Sequence, residues 1–265
     1  MIPINLRDEI KNLYEISSKH SNYQNMPYFV SDELGYKVEI NEEWRGDTAR
    51  YLFLKENIEF KKDTNVADVG ANTGFFTLSF ANNNTTTNFF AYEINENHSK
   101  LISLIKDAFE MSNVSVLNTG VDYSTINDIP KYDIMFHLNI LHHAGVDFDK
   151  NYVKDVNDFY KYALNYLTLL RNKCSVLVFQ MGYNLGGNKA NPIVSTNDVL
   201  EMFKYQINLL IDSGFLIDKI ALYDKENKRY KIVNVLNLPD ELDRYSLINN
   251  SEFYKRPLII AVSNN

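Results

Sequence analysis

The chain has 265 residues, a formal net charge of −7 and a single cysteine, Cys174. One cysteine excludes an internal disulfide framework and a zinc site built on cysteines, and the acidic balance argues against a broad basic surface for nucleic acid. No apolar run reaches the roughly 18 residues that span a bilayer, and the charged first 20 residues lack the apolar core of a signal peptide. We therefore expect a cytoplasmic protein with one large domain or two small ones.

Residues 1–62 form a lead-in that differs in character from the rest of the chain. The spacing of apolar residues predicts a helix over 6–17. The stretch 21–42 is aromatic and irregular, and a second helix is expected to begin after Asp47, which can cap it. We expect this lead-in to lie over the binding site of the second region, residues 63–265.

From residue 64 onward, short apolar strands alternate with amphipathic helices, which is typical of an α/β protein. This alternation predicts a Rossmann-like, seven-stranded, mostly parallel sheet with helices on both faces. Residues 224–256 are long for a hairpin loop and are interpreted as a functional insertion. Ser195 and Asp198 form a plausible capping box for a helix that ends at Gly214. The predicted strands are 66–69, 89–93, 114–121, 132–138, 175–181, 215–223 and 258–262.

Ligands in such sheets bind beyond the carboxyl ends of the strands, so the loops there are the places to look for chemistry. The first loop, 68–74, has the sequence DVGANTG, in which Gly70 and Gly74 allow a sharp turn before a helix N-terminus. Asn72 stands where a dinucleotide fingerprint has its middle glycine, and no phosphate-loop Lys-Ser/Thr pair follows. The second loop supplies Glu93, which can accept hydrogen bonds from a ribose diol. The third supplies Asp122, whose carboxylate can accept a hydrogen bond from an adenine amino group.

The order and spacing of these three features resemble the class I S-adenosylmethionine-dependent methyltransferases, over residues 63–181 and the terminal strand pair. The string 68–77, DVGANTGFFT, is especially similar to the FkbM-type O-methyltransferases of natural products and surface glycans. The resemblance implies S-adenosyl-L-methionine as the methyl donor, in preference to a nicotinamide cofactor. The alternative for Asp68 is a turn cap. By this resemblance the donor-binding residues are Asp68, Gly70, Asn72, Gly74, Glu93, Ile94, Val121, Asp122, Leu138 and Asn139.

Two adjacent histidines, His142 and His143, follow the fourth predicted strand and are the candidate catalytic residues. A hydroxyl acceptor benefits from a base that removes its proton, and histidine titrates near neutral pH. In the resembled family an L-x-H string follows this strand in many small-molecule enzymes, and His143 matches its histidine. The sequence does not decide which of the two is the base. No metal site is predicted, because an extended His-His pair points its side chains to opposite faces. His137 is interpreted as a residue at the edge of the core.

A narrower resemblance links 43–47, EWRGD, to the tRNA wobble-uridine carboxymethyltransferases, which also carry an arginine before the last strand. It implies that Trp44 closes over the donor and that Arg256 reaches the substrate pocket. The alternatives are a core anchor for Trp44 and a surface charge for Arg256. That family has a lysine shortly after the tryptophan for a carboxylated donor, whereas this chain has Thr48 and Ala49. Ordinary S-adenosylmethionine is therefore favoured.

The fifth loop, 180–189, is polar and contains Gly186 and Gly187, which suits a hydroxylated or phosphorylated acceptor. Gln180 and Tyr183 can orient hydroxyl groups, and Lys189 can meet a phosphate, although each can equally be an ordinary loop residue. The leading hypothesis is O-methylation of a polar small molecule, such as a sugar or phosphorylated precursor of a surface glycan or natural product. The alternatives are a tRNA- or RNA-modifying methyltransferase and a non-catalytic donor- or partner-binding protein.

Overall fold

A computed structural model describes residues 2–16, 24–36, 46–194, 198–238, 240 and 252–263. The chain divides into two compact units, Met1–Gly120 and Val121–Asn265. The boundary predicted between residues 62 and 63 stays a prediction. Within the described residues, no helix combines the length and the apolar character needed to cross a membrane.

In its described residues, the first unit has three parallel strands in the order β3-β2-β1. Four of the five residues of β1 are buried, as expected for a strand of a parallel sheet that is covered on both faces. The strands are β1 (Asn65–Val69), β2 (Asn88–Tyr92) and β3 (Val114–Leu117), and the helices are Ile4–Glu15, Tyr28–Leu34, Asp47–Asn57, Phe75–Asn83 and Glu96–Ala108.

The lead-in is joined to the rest of the first unit by apolar and charged contacts. The helix Ile4–Glu15 packs against the helix Glu96–Ala108, where Glu9 and Lys100 form an ion pair of 2.7 Å. The helix Asp47–Asn57 begins differently from the prediction. Gly46, in a left-handed conformation, is its N-cap, and Asp47 lies in the first turn. The buried Asp47 carboxylate accepts the backbone N–H of Asn25 instead of capping its own helix.

Among the residues that the structure describes, the second unit has five strands in the order β4-β5-β8-β6-β7. The pair β4–β5 is parallel, while the pairs β5–β8, β6–β8 and β6–β7 are antiparallel. The strands are β4 (Tyr132–Leu138), β5 (Cys174–Gln180), β6 (Phe215–Asp224), β7 (Arg229–Ile232) and β8 (Leu258–Ser263), the α-helices are Val156–Arg171 and Val199–Asp212, and short 3-10 turns cover Leu141–His143, Leu185–Gly187, Val235–Asn237 and Glu252–Lys255.

The predicted α/β class is confirmed, but the seven-stranded, mostly parallel sheet is not. The described residues contain eight strands with mixed pairing. The additional strand, β7, belongs to the segment 224–256, so this insertion begins as a hairpin with β6. The third strand ends at Leu117 rather than at Val121. The helix Val199–Asp212 is capped by Asp198, which accepts the Glu201 N–H, and Ser195 lies outside the described residues.

Candidate functional site

The glycine turn of the first unit is held against the end of β2. Gly70, Asn72 and Gly74 all have positive φ angles, of 68°, 54° and 81°. The backbone N–H groups of Gly70 and Ala71 donate to the Tyr92 carbonyl at 2.8 and 3.0 Å. A Cβ at Gly74 would lie 2.7 Å from Cγ1 of Ile102. The predicted turn is therefore present, and its last glycine is required for both conformation and packing.

Glu93 follows β2 directly, and its carboxylate faces this turn. Oε2 accepts the Asn72 N–H at 2.7 Å and Oε1 accepts the Asn95 N–H at 2.7 Å. Burial raises the pKa of Glu93, the backbone N–H groups of Asn95, Asn72 and Ile94 oppose this, and the Asp68 charge adds to the rise. The ribose-binding acid and the glycine turn named from the sequence are thus brought together by a direct hydrogen bond. Ile94, the next residue, is 73% exposed.

Two side chains that sequence reasoning missed hold this region in place. Asn118 donates from Nδ2 to the carbonyls of Glu93 and Ile94, at 2.9 and 3.2 Å. Gln24 accepts the N–H of Phe75, the first residue of the helix after the turn, at 3.0 Å. Neither residue lies in a recognisable motif, so their roles follow only from the folded chain. Trp44, implied as a donor-site residue, lies outside the described residues.

Asp68 is buried and its carboxylate points to the helix that follows the turn. Its Oδ2 accepts the Thr77 hydroxyl at 2.7 Å. Burial raises the pKa of Asp68 to about 6, although the hydrogen bonds from Thr77 and the Arg50 charge act in the opposite direction. In this structure, Asp68 fastens the end of β1 to the helix Phe75–Asn83. Its predicted contact with a donor stays a prediction.

In the second unit, Val121 and Asp122 form a tight polar turn. Asp122 Oδ1 accepts from the backbone N–H groups of Ser124 and Thr125, at 2.9 and 3.0 Å, and from both hydroxyls. Burial alone would raise the pKa of Asp122, but these hydrogen bonds outweigh it and lower the pKa. Val121 is buried, and its carbonyl accepts the Tyr166 hydroxyl at 2.8 Å. The Asp122 carboxylate is therefore ionised and held in one orientation.

The two candidate histidines lie in the 3-10 turn Leu141–His143 with ring centroids 4.3 Å apart, but their surroundings differ. His142 is buried, and its Nδ1 accepts the Gly182 N–H at 3.1 Å. Burial lowers the pKa of His142 well below its ordinary value, and the charges of His143, Arg256 and His137 lower it further. His143 is partly exposed, and its Nδ1 lies 2.7 Å from Oδ2 of Asp147.

The hydrogen-bond partner of each ring determines which of its nitrogens carries the proton. A backbone N–H can only donate, so the neutral His142 carries its proton on Nε2 and has its lone pair occupied. A carboxylate can only accept, so the neutral His143 carries its proton on Nδ1 and has its lone pair on Nε2. The two rings therefore differ in which nitrogen carries the proton. Asp147 was missed in the sequence, although its i+4 spacing from His143 is a signal that could have revealed it.

His137 is part of the core rather than of its edge. Its side chain is fully buried, and its ring lies 5.6 Å from that of Tyr166 and 6.0 Å from that of Phe179. Neither ring nitrogen has a hydrogen-bond partner among the described residues. Burial lowers the pKa of His137 to about 4, so the ring is neutral at physiological pH.

The predicted residues Asn139, Gln180 and Arg256 form one network at the ends of β4 and β5. Asn139 is left-handed, with φ of 62°, and its Nδ2 donates to Oε1 of Gln180 at 2.9 Å. Arg256 Nη1 donates to Oδ1 of Asn139 at 2.8 Å. Gln180, which is fully buried, donates to the Tyr230 hydroxyl and to the Arg256 carbonyl at 3.2 Å each. Leu138, the last residue of β4, directly precedes this network.

The two other residues predicted to bind the acceptor, Tyr183 and Lys189, differ in burial. Tyr183 is fully buried, and its hydroxyl donates to the Lys255 carbonyl at 3.2 Å, whereas Lys189 is exposed. Glu252, which the sequence did not suggest, holds Arg256 through two hydrogen bonds of 2.9 Å. In the described part of the chain, no group of three His, Cys, Asp or Glu side chains could hold a metal ion.

Comparison with solved structures identifies the fold. The bifunctional kinase-methyltransferase WbdD matches with a TM-score of 0.57 and 13% identity, over 96% of this chain and 46% of that chain. EvdMO1 matches with a TM-score of 0.53 and 13% identity, over 98% and 47%. The [4+2]-cyclase SpnF matches with a TM-score of 0.53 and 10% identity, over 83% of each chain.

Neither family models nor curated proteins match the sequence. The chain spans about half the length of the WbdD and EvdMO1 chains that it matches. The fold is that of the class I S-adenosylmethionine-dependent methyltransferases.

Proposed function

We propose that this chain is an S-adenosylmethionine-dependent methyltransferase that methylates a hydroxyl group of a polar small molecule. The observation that carries the proposal is the 2.7 Å hydrogen bond between Glu93 and the Asn72 N–H, which joins the acid after β2 to the glycine turn after β1. In a class I fold these two features serve one ligand with a ribose. The similarity to WbdD, a kinase-methyltransferase, supports methyl transfer over hydride transfer.

The residues present fit a nucleoside donor. Glu93 can accept hydrogen bonds from a ribose diol, and exposed Ile94 offers an apolar surface beside it. Asp122 uses Oδ1 within its own turn, and Oδ2 has no hydrogen-bond partner among the described residues, so it can accept from an adenine amino group. In the first unit we assign donor-binding roles to Asp68, Gly70 and Gly74, with Trp44 as a further candidate. In the second unit we assign such roles to Val121, Leu138 and Asn139.

The donor supplies an electrophilic methyl group on a sulfonium, and the chain supplies alignment and a base. In the proposed step, Nε2 of His143 takes the proton of the acceptor hydroxyl as the oxygen forms its bond to the methyl carbon. A bound donor would lose its methyl group through its carbon–sulfur bond, and the electron pair of that bond would remain on the sulfur. Asp147 stabilises the imidazolium that results. His142, with its lone pair occupied by Gly182, acts as a support for the turn.

Donor binding is the first test, measured by calorimetry with S-adenosylhomocysteine on the full chain. We expect binding by the wild type and a loss of about 10- to 100-fold for Glu93→Ala, because a hydrogen bond to a charged group contributes about 1.5–3 kcal/mol. Glu59→Ala, an exposed carboxylate in the same unit, is the matched control and should bind normally. A wild type that does not bind would refute the proposed function.

The acceptor class requires a second experiment, because the SpnF comparison shows that this fold also occurs in a cyclase. Transfer of a labelled methyl group should be screened over free sugars, phosphorylated sugars and amino alcohols. Labelled O-methyl product with a hydroxylated acceptor supports the proposal. Donor binding with transfer to none of these compounds, or transfer only to nitrogen, would contradict the proposed O-methylation.

A further inference from the structure

We propose that Arg256 and the backbone N–H of Tyr183 form a binding site for an oxyanion group of the acceptor, and that Glu252 occupies this site in its absence. The inference rests on the proposed function, because it names the class of substrate: a hydroxylated compound that also bears a phosphate or carboxylate. The Glu252 carboxylate is then the internal counterpart of the substrate's anionic group.

The contacts of Glu252 define the donors of the site. Arg256 reaches both oxygens, with Nε donating to Oε1 and Nη2 donating to Oε2 at 2.9 Å each. The Tyr183 N–H donates to Oε1 at 3.3 Å. A guanidinium fork with two parallel N–H groups binds carboxylate and phosphate in the same way, so an acceptor's oxyanion can take the place of the glutamate.

Charge favours an anion at this position from more than one side. Burial raises the pKa of Glu252, but the Arg256 guanidinium outweighs it, and Lys189 also lowers this pKa. Lys189 itself is exposed. Because two adjacent anions repel each other, Glu252 must withdraw when a substrate oxyanion enters. The exchange leaves Arg256 paired in both states, which avoids the penalty of a buried unpaired charge.

The site lies next to the histidine turn. A Cβ at Gly182 would lie 2.7 Å from the His142 ring and 2.8 Å from Nη2 of Arg256, so both groups meet over this glycine. The His142 ring is in turn 4.3 Å from the ring of His143. An acceptor anchored by its oxyanion at Arg256 would therefore present a nearby hydroxyl to the proposed base.

The competing explanation is that the ion pair is only structural. Arg256 also donates to Asn139 at 2.8 Å, so the pair could serve solely to hold the end of β4. The two explanations differ in what removal of the Glu252 charge does. An occupied anion site gains affinity for an added oxyanion, whereas a purely structural pair loses stability and gains none.

Inorganic phosphate is the probe, titrated by ³¹P NMR into the full chain at pH 7.5. We expect Glu252→Gln to bind phosphate at least 10-fold more tightly than the wild type. The double variant Glu252→Gln/Arg256→Gln should lose this gain, and the matched control Glu226→Gln should not show it. The proposal would be overturned if Glu252→Gln bound phosphate no more tightly than the wild type, or if the gain in phosphate affinity persisted in the double variant that lacks Arg256.

Two further measurements keep the result interpretable. If Glu252→Gln has a lowered Tm, Glu252→Ser provides a second variant, and a lack of phosphate gain in whichever variant is folded counts against the site. S-adenosylhomocysteine titrated into the same samples separates the two proposals. If Glu252→Gln gains phosphate affinity but no sample binds S-adenosylhomocysteine, the anion site is retained and methyl transfer is rejected. If S-adenosylhomocysteine binds but phosphate affinity does not rise, methyl transfer is retained and the anion site is rejected.

Discussion

The adjacent histidines His142 and His143 differ in the hydrogen-bond partner of Nδ1, and therefore in which ring nitrogen carries the proton. His142 and His143 share a short turn, yet one ring accepts from a backbone N–H and the other faces a carboxylate. This difference is a property of the fold, because both partners lie outside the His-His pair. The sequence left the choice between the two histidines open, and within the proposed function we assign the role of base to His143.

The tautomers themselves are measurable without an acceptor. Long-range ¹H–¹⁵N spectra should show Nδ1–H for neutral His143 and Nε2–H for neutral His142. Asp147→Ala removes the acceptor of the Nδ1 proton, so His143 should shift toward Nε2–H, while Asp128→Ala, an exposed control, should leave it unchanged. A wild-type His143 with its proton on Nε2 would contradict the assignment of this residue as base.

His137 makes stability depend on pH because its ring is buried and neither ring nitrogen has a hydrogen-bond partner in the part of the chain that the structure describes. Burial lowers the pKa of the folded state to about 4 from 6.5. Folding then favours the neutral ring, so the contribution to stability is complete above pH 6.5 and is lost as the pH falls toward 4. At pH 5 the loss amounts to about 2 kcal/mol.

His137→Leu, which is similar in volume, should remove this dependence. Urea unfolding at pH 8 and pH 5 measures it, and the variant should lose about 2 kcal/mol less than the wild type between these conditions. Comparing the change in unfolding free energy between the two proteins cancels the contribution of the other titrating groups, which both proteins share. Equal losses in both proteins would show that His137 is not buried as a neutral ring.

At the scale of elements, the glycine turn requires that position 74 has no Cβ atom. Gly74→Ala adds a Cβ at a φ of 81° and 2.7 Å from Ile102. Gly35→Ala is the matched control, because Gly35 has a φ of 60° and no described residue lies within 4 Å of the added Cβ. Both variants incur the cost of a left-handed alanine, about 1–2 kcal/mol.

Only Gly74→Ala should also disturb the turn that carries Asn72. We expect it to lose a further 1–3 kcal/mol of unfolding free energy, roughly the cost of overpacking, and to weaken S-adenosylhomocysteine binding about 10-fold. Chemical denaturation and calorimetry measure the two effects. Equal destabilisation of both variants, with donor binding unchanged, would mean that the turn tolerates the added methyl group.

Elements whose signals are local could be predicted from the sequence, and those that depend on distant partners could not. The strand before the glycine turn and the acid after β2 each have a short-range pattern, and both occur as predicted. The strand β7, Arg229–Ile232, is short and half charged, so it has no apolar period to detect. Glu252 and Gln24 act on residues far away in sequence, and only folding reveals them.

At the scale of the whole molecule, the net charge of −7 bears on the choice between a small acceptor and tRNA. Most of the affinity of a protein for nucleic acid comes from Lys and Arg side chains that release counterions from phosphates. An acidic chain has a long-range repulsion to overcome before any local basic patch can act. The anion site at Arg256 does not change this argument, because it fits a single oxyanion rather than a run of phosphates.

We therefore expect no complex between the full chain and bulk tRNA at about 50 mM salt in a gel-shift titration, with a basic tRNA-binding protein as the positive control. The experiment is most sensitive at low salt, where electrostatic binding is strongest. A complex that weakens steeply between about 50 and 200 mM salt would overturn the ranking of acceptors. If Arg256→Gln and Lys189→Gln then reduced that salt dependence, the site assigned to a small oxyanion would be a phosphate contact of an RNA substrate.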